Sequence, residues 1–174
     1  MKRAVRKNMQ RTEKEQRSQA NIISCVAFTV LWEDGWREKR IMRRFASAME
    51  VMQELKTKNL TPLEILEEET GIELQMDGER SYHEFMYLAH DVPMRQMTDA
   101  EIIYMRNRSV KFASLILLSS LCVVLHREDG WGFERISRFL YRMDLVRKLL
   151  GDDEQKCMDF MRNNTGKDPK EMWM

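Results

Sequence analysis

The sequence predicts an all-α protein made of two homologous helical-hairpin repeats packed against each other as an intramolecular pseudo-dimer. Three observations predict it. Gly and Pro number only 7 and 3 in 174 residues, while Glu, Lys, Arg, Leu and Met abound, a composition that favours helix over sheet. Apolar residues recur three and four positions apart, as in helices with one buried face. The element Glu-Asp-Gly-Trp is written twice, at 33–36 and at 128–131.

The second occurrence lies 95 positions after the first, and the same offset aligns much more without a gap. Ser24 falls on Ser119, Arg40-Ile41 on Arg135-Ile136, Arg43 on Arg138, Val51 on Val146, and Thr70-Gly71 on Thr165-Gly166. Apolar character follows the same register, with "VAFTVL" (26–31) over "LCVVLH" (121–126) and Ile65-Leu66 over Phe160-Met161. Matches spread over about fifty residues at one offset indicate an internal duplication.

The elements follow in order. Residues 1–18 form a basic arm or first helical segment, with seven Lys/Arg against two Glu. Repeat 1 spans 19–71: an apolar helix over about 18–32, a turn at Asp34-Gly35-Trp36, then an amphipathic helix carrying Ile41, Phe45, Ala48, Met52 and Leu55. Gly supplies the left-handed backbone that ends a helix, and Asp can cap the next one. A third helix begins at "TPLE", with Thr61 as cap and Pro62 in the first turn, and ends at Thr70-Gly71. A connecting segment, 72–97, holds a turn at "MDGE" and a short helix in "YHEFMYLAHDVP". Repeat 2 spans 98–166. "TDAE" opens it with capping-box spacing, and the helix over about 98–127 runs into Asp129-Gly130-Trp131. Its amphipathic helix carries Ile136, Phe139/Leu140, Met143, Val146 and Leu150, and a last helix covers about 153–164. Residues 167–174 form a Met/Trp tail. Trp36 and Trp131 are read as packing anchors.

Composition excludes several functions. A net charge of +1 with 33% charged residues describes an ordinary soluble surface rather than a generic nucleic-acid binder. Cys25, Cys122 and Cys157 have no metal-ligand spacing and read as buried thiols in a reducing cytoplasm. The longest apolar run, 112–125, has 14 residues, short of the ~20 of a membrane span. Catalysis needs converging acids, bases or metal ligands. His83 and His90 stand seven apart, without the i, i+4 pairing of a zinc protease, and His126 beside Glu128 and Asp129 has Leu31 as its counterpart in the first repeat. No phosphate loop, serine elbow or EF-hand is present, so the chain reads as a non-enzyme without metal or cofactor.

Two features can carry binding. One is a row of cations after each turn: Arg37, Lys39, Arg40, Arg43 and Arg44, then Arg135, Arg138 and Arg142. Guanidinium forks suit phosphates and carboxylates. The same arginines can instead pair with neighbouring Glu, with Arg40 and Arg135 tying down Asp34 and Asp129. The first row is the denser, and reversing Arg37, Arg40, Arg43 and Arg44 together is expected to abolish partner binding while the helices survive. The other feature is methionine, 15 in all. Met94, Met97, Met172 and Met174 lie off the core stripes, and "KEMWM" places Trp173 between two of them, an adaptable protein-binding surface.

The second repeat resembles small helical proteins of phages and prophages of Gram-positive bacteria. Those carry an apolar helix, a Leu-His-x-x-(aromatic)-Gly-(aromatic)-Gly turn and an Arg-(Leu/Ile)-x-Arg-(Phe/Val) start to the next helix. The match falls on Leu125, His126, Gly130, Trp131, Gly132, Arg135, Ile136, Arg138 and Phe139. The first repeat departs from it, with Leu31 for His126 and Arg37 for Gly132. The resemblance implies a setting rather than an activity: an accessory protein of a mobile element in the bacterial cytoplasm. Such proteins bind and block a host protein or ribonucleoprotein of defence or replication, the anti-CRISPR inhibitors being one class. The alternative is a nucleic-acid-binding regulator that uses the basic arm and the arginine rows. Homodimerisation stays open.

Overall fold

The computed structural model describes residues 2–74 and 96–173. The expected "MDGE" turn, the segment with His83 and His90, and Met94 lie outside them. Among the described residues there are helices and no strand: α1 (Lys2–Glu33), α2 (Glu38–Thr57), α3 (Pro62–Thr70), α4 (Asp99–Asp129), α5 (Phe133–Leu150), α6 (Glu154–Thr165) and α7 (Pro169–Met172). The fold is all-α. The basic arm is the first half of α1 rather than a separate segment, because no Gly or Pro interrupts its run of helix formers. It is held by Gln16 Nε2, which donates to Ser109 Oγ at 2.9 Å, and by Glu15, 3.5 Å from Arg106 of α4.

The helix ends obey local chemistry. Thr61 and Thr98 each close a capping box: their hydroxyls accept from the amides of Glu64 and Glu101, whose carboxylates accept the threonine N–H at 3.0 and 2.7 Å. Gly71 and Gly166 end α3 and α6 in the left-handed region, as expected. The aspartates of the two EDGW turns do not cap α2 and α5. The N-caps of those helices are Arg37 and Gly132, neither with a side-chain hydrogen bond; Asp34 and Asp129 pair with arginines instead.

Both turn glycines are left-handed, Gly35 at φ 87 and Gly130 at φ 67. The turns differ by one residue in hydrogen-bond register: the Trp36 amide donates to Leu31 O at 3.1 Å, the Trp131 amide to Leu125 O at 3.2 Å. His126 sits in the second turn with Nδ1 2.8 Å from Trp131 O, a contact that Leu31 cannot make in the first. An added Cβ at either glycine meets nothing within 4 Å, so the constraint there is backbone conformation alone. Valine at Gly35 or Gly130 is expected to cost more than ~1 kcal/mol. Gly71 cannot serve as a control, since its φ is 74. Gly132, at φ −86 with open space around it, can: Gly132→Ala should leave the thermal midpoint nearly unchanged, and equal losses at all positions would remove the special role of the turns.

The halves pack by exchange. α1 lies chiefly against α6 and α4, then α5; α4 lies chiefly against α2 and α1, then α3. Consecutive helices of one hairpin, α1 with α2 and α4 with α5, touch far less. One core results, and positions 95 apart enter it together: Trp36 and Trp131, Ile41 and Ile136, Ala48 and Met143, Leu66 and Met161 are all buried. α4 is the one described helix long and apolar enough by length and composition to cross a membrane. Half of its most apolar stretch is buried against the chain. Cys25, Cys122 and Cys157 are free and fully buried. Burial raises all three thiols, pushing Cys25 up to about 12 and Cys157 to about 11, so they behave as small core residues.

Candidate binding surfaces around the paired turns

The exchange of helices brings the two EDGW turns together. Trp36 and Trp131 meet edge to face, ring centroids 5.7 Å apart. Each tryptophan carries the arginine four positions on: Arg40 lies 3.7 Å above Trp36 and Arg135 lies 4.3 Å above Trp131. Each tryptophan directly precedes the N-cap of its helix and each arginine lies in that helix's first turn, so the stack is local to the turn.

The acids of each turn are bound from the other half. Arg44 donates to Asp129 through Nε at 2.7 Å and Nη2 at 3.0 Å, and reaches Glu128 through Nη1. Arg40 adds a 2.8 Å bond to Asp129. In the opposite direction Arg142 binds Asp34 and, at 2.8 Å, Glu33. The two clasps differ in depth. The side chains of Asp129 and Arg44 are 3% and 13% exposed, those of Asp34 and Arg142 30% and 32%. Burial pushes the Asp129 carboxyl up, but the hydrogen bonds and charges of Arg44 and Arg40 outweigh it and hold it below the ordinary carboxylate range. A further tie, Arg127 Nε to Glu69 at 3.0 Å, fixes the end of α4 to α3.

These contacts correct the expected basic rows. Arg40, Arg44 and Arg142 are spent on carboxylates of the chain itself, so neither row is continuous at the surface. The alternative pairing of Arg40 and Arg135 with the turn aspartates is met only by Arg40, and across the halves rather than within one. Reversing Arg37, Arg40, Arg43 and Arg44 together would break the deeper clasp, so that variant would not separate binding from stability. The exposed remainder of the first row is Arg37, 5.2 Å over the Trp32 ring, with Lys39 and Arg43. In the second it is Arg135 and Arg138.

Trp173 is not the exposed anchor expected of the tail. Asp168 caps α7 and is bound by Arg162 at 3.0 Å, folding the tail back. Trp173 then packs 6.0 Å from Phe28 and 5.9 Å from Phe45, and Met172 joins the same cluster.

Among the described residues, a concave surface lies beside each turn. A cavity of about 750 Å³ opens beside the second turn, lined by Trp131, Phe133, Arg135, Arg138, Phe139 and Arg142 among others. A shallower one of about 620 Å³ lies by the first turn, among Trp32, Arg37, Lys39 and Lys167. Lys167 pairs there with Glu38 at 2.6 Å. Among the described residues no three His, Cys, Asp or Glu side chains are placed to hold a metal ion.

One surface was not anticipated from the sequence. Phe133, Tyr141, Leu145 and Leu149 lie on the outer face of α5 and are 56%, 63%, 42% and 85% exposed. The signal lies in the same helical pattern: they are the apolar residues of this helix left over once Ile136, Phe139, Leu140, Met143, Val146 and Leu150 are assigned to the core. Comparison with family models, with curated proteins and with solved structures found no match.

Proposed function

We propose that this chain is a non-catalytic accessory protein of a phage or other mobile element that works by binding and blocking a host protein or ribonucleoprotein. The observation that carries protein binding is the exposed apolar stripe of α5, since a row of large apolar side chains in water marks a contact surface. The loss of Arg40, Arg44 and Arg142 to internal ion pairs weighs against a phosphate-binding ridge. The mobile-element setting rests on the resemblance around Leu125–Phe139, and an anti-CRISPR-type role is one form of it. We propose further that the chain arose by tandem duplication and folds as a pseudo-dimer. The 95-residue register of buried positions and the reciprocal packing of α1 and α4 support this reading.

The test compares the tagged protein with a Leu145→Asp/Leu149→Asp variant in bacterial host lysate, with and without nuclease. A complex with one host protein that survives nuclease and is lost in the variant is expected. A second reading, nucleic-acid binding, is favoured by Arg37 and Lys39 beside Trp32. It predicts instead affinity for naked duplex that falls steeply with salt and is unaffected by the α5 substitutions.

A further inference from the structure

Resting on the protein-binding reading, we infer that the outer face of α5 receives an acidic amphipathic helix of the partner. Tyr141, Leu145 and Leu149 fall at intervals of four, so they form an i±4 ridge roughly 12 Å long, with Phe133 set apart from it beyond Ser137. A ridge of this kind fits the groove between the corresponding rows of another helix, at a crossing angle of about −50°. An extended strand or a nucleic-acid backbone offers no such groove.

The charges beside the ridge are one-sided. On one flank Asp144 and Lys148 neutralise each other at 2.6 Å. On the other stand Arg135, Arg138 and Arg142, spaced three and four apart and therefore on one helical row. Arg142 is occupied by Glu33 and Asp34. Arg135 stacks on Trp131, and neither it nor Arg138 is paired with a carboxylate among the described residues. The acids lining the same cavity are Glu134 and Asp34, and Asp34 is paired with Arg142. The complement is a helix with apolar residues every fourth position and carboxylates along one edge, where guanidinium–carboxylate hydrogen bonds set orientation as well as affinity. A second copy of α5 fits less well: antiparallel pairing about Tyr141 would bring the two arginine rows together on the same side.

The inference is tested on the full chain with two labelled, roughly 20-residue helical peptides, identical in their leucines but carrying Glu or Lys on one flank, and with a short DNA duplex. Binding is followed by fluorescence anisotropy, and sedimentation of the free protein reports its oligomeric state. The Glu peptide is expected to bind at least about tenfold tighter than the Lys peptide. Arg138→Glu should erase or invert that preference, and Leu145→Asp/Leu149→Asp should abolish binding with the helical circular dichroism intact, since both leucines are exposed. Equal affinity for both peptides, a preference that survives Arg138→Glu, tighter binding of the duplex, or a dimer dissolved by the leucine substitutions would overturn it. If the lysate partner is lost with the leucines while the peptides are not distinguished by charge, protein binding stands and the acidic helix falls.

Discussion

Asp129→Ala is expected to destabilise the protein by about 2 kcal/mol at neutral pH, the loss of charge-assisted hydrogen bonds from a part-buried clasp in which Arg44 keeps Glu128. Asp34→Ala is expected to cost no more than about 1 kcal/mol. The two residues occupy the same place in the two turns, so the difference comes from burial: 3% exposure for the Asp129 side chain against 30% for Asp34. For a chain of this length about 2 kcal/mol corresponds to a fall in thermal midpoint of roughly 4–8 °C. The pH dependence follows from the lowered ionisation of Asp129. A carboxyl whose folded value lies below its unfolded one contributes fully above the unfolded value, about 3.9, and loses that contribution as pH falls through the folded value. Urea unfolding at pH 7 should therefore separate wild type from Asp129→Ala widely, and the gap should close in steps below about pH 4. A gap independent of pH would mean that Asp129 acts by packing alone. Equal losses for the two aspartates would mean that the depth of the clasp is irrelevant.

Much of the fold was legible because it is written locally. Thr61 with Glu64, and Thr98 with Glu101, are capping boxes within four residues, and Gly71 and Gly166 end their helices by a backbone preference that belongs to one residue. Core positions such as Ile41, Ala48, Ile136 and Met143 follow from helical period alone. The site was less legible because its contacts are not local. Arg44 and Asp129 are 85 residues apart, and Arg142 and Asp34 are 108 apart. They are not matched by the 95-residue offset either: Phe139 stands where Arg44 would recur. Only the exchange of α1 and α4 between the halves brings these charges together. Trp173 illustrates the same limit from the other side. Its neighbours in sequence are polar or flexible, and its partial burial goes with the Asp168–Arg162 bond that turns the tail onto Phe28 and Phe45.

Trp131→Ala is expected to be at least as damaging as the loss of Asp129, at about 3–5 kcal/mol for removal of a buried indole. Trp131 is 2% exposed, touches Trp36 at 5.7 Å and Phe139 at 5.8 Å, and supports the Arg135 guanidinium. Trp36→Ala should cost a similar amount, since Trp36 is 4% exposed in the matching position. The informative quantity is their coupling. The two rings come from different halves, so if the halves are joined at this point, the double variant must lose less than the sum of the single ones. An edge-to-face pair accounts for about 0.5–1.5 kcal/mol of such coupling, and relaxation of one cavity into the other can raise it further. Trp→Phe at either position retains a ring and should recover part of the loss. Chemical unfolding followed by circular dichroism gives all three terms from one set of variants. Strict additivity would show that each tryptophan anchors only its own turn, leaving the Arg44–Asp129 and Arg142–Asp34 clasps as the contacts between turns that hold the halves in register.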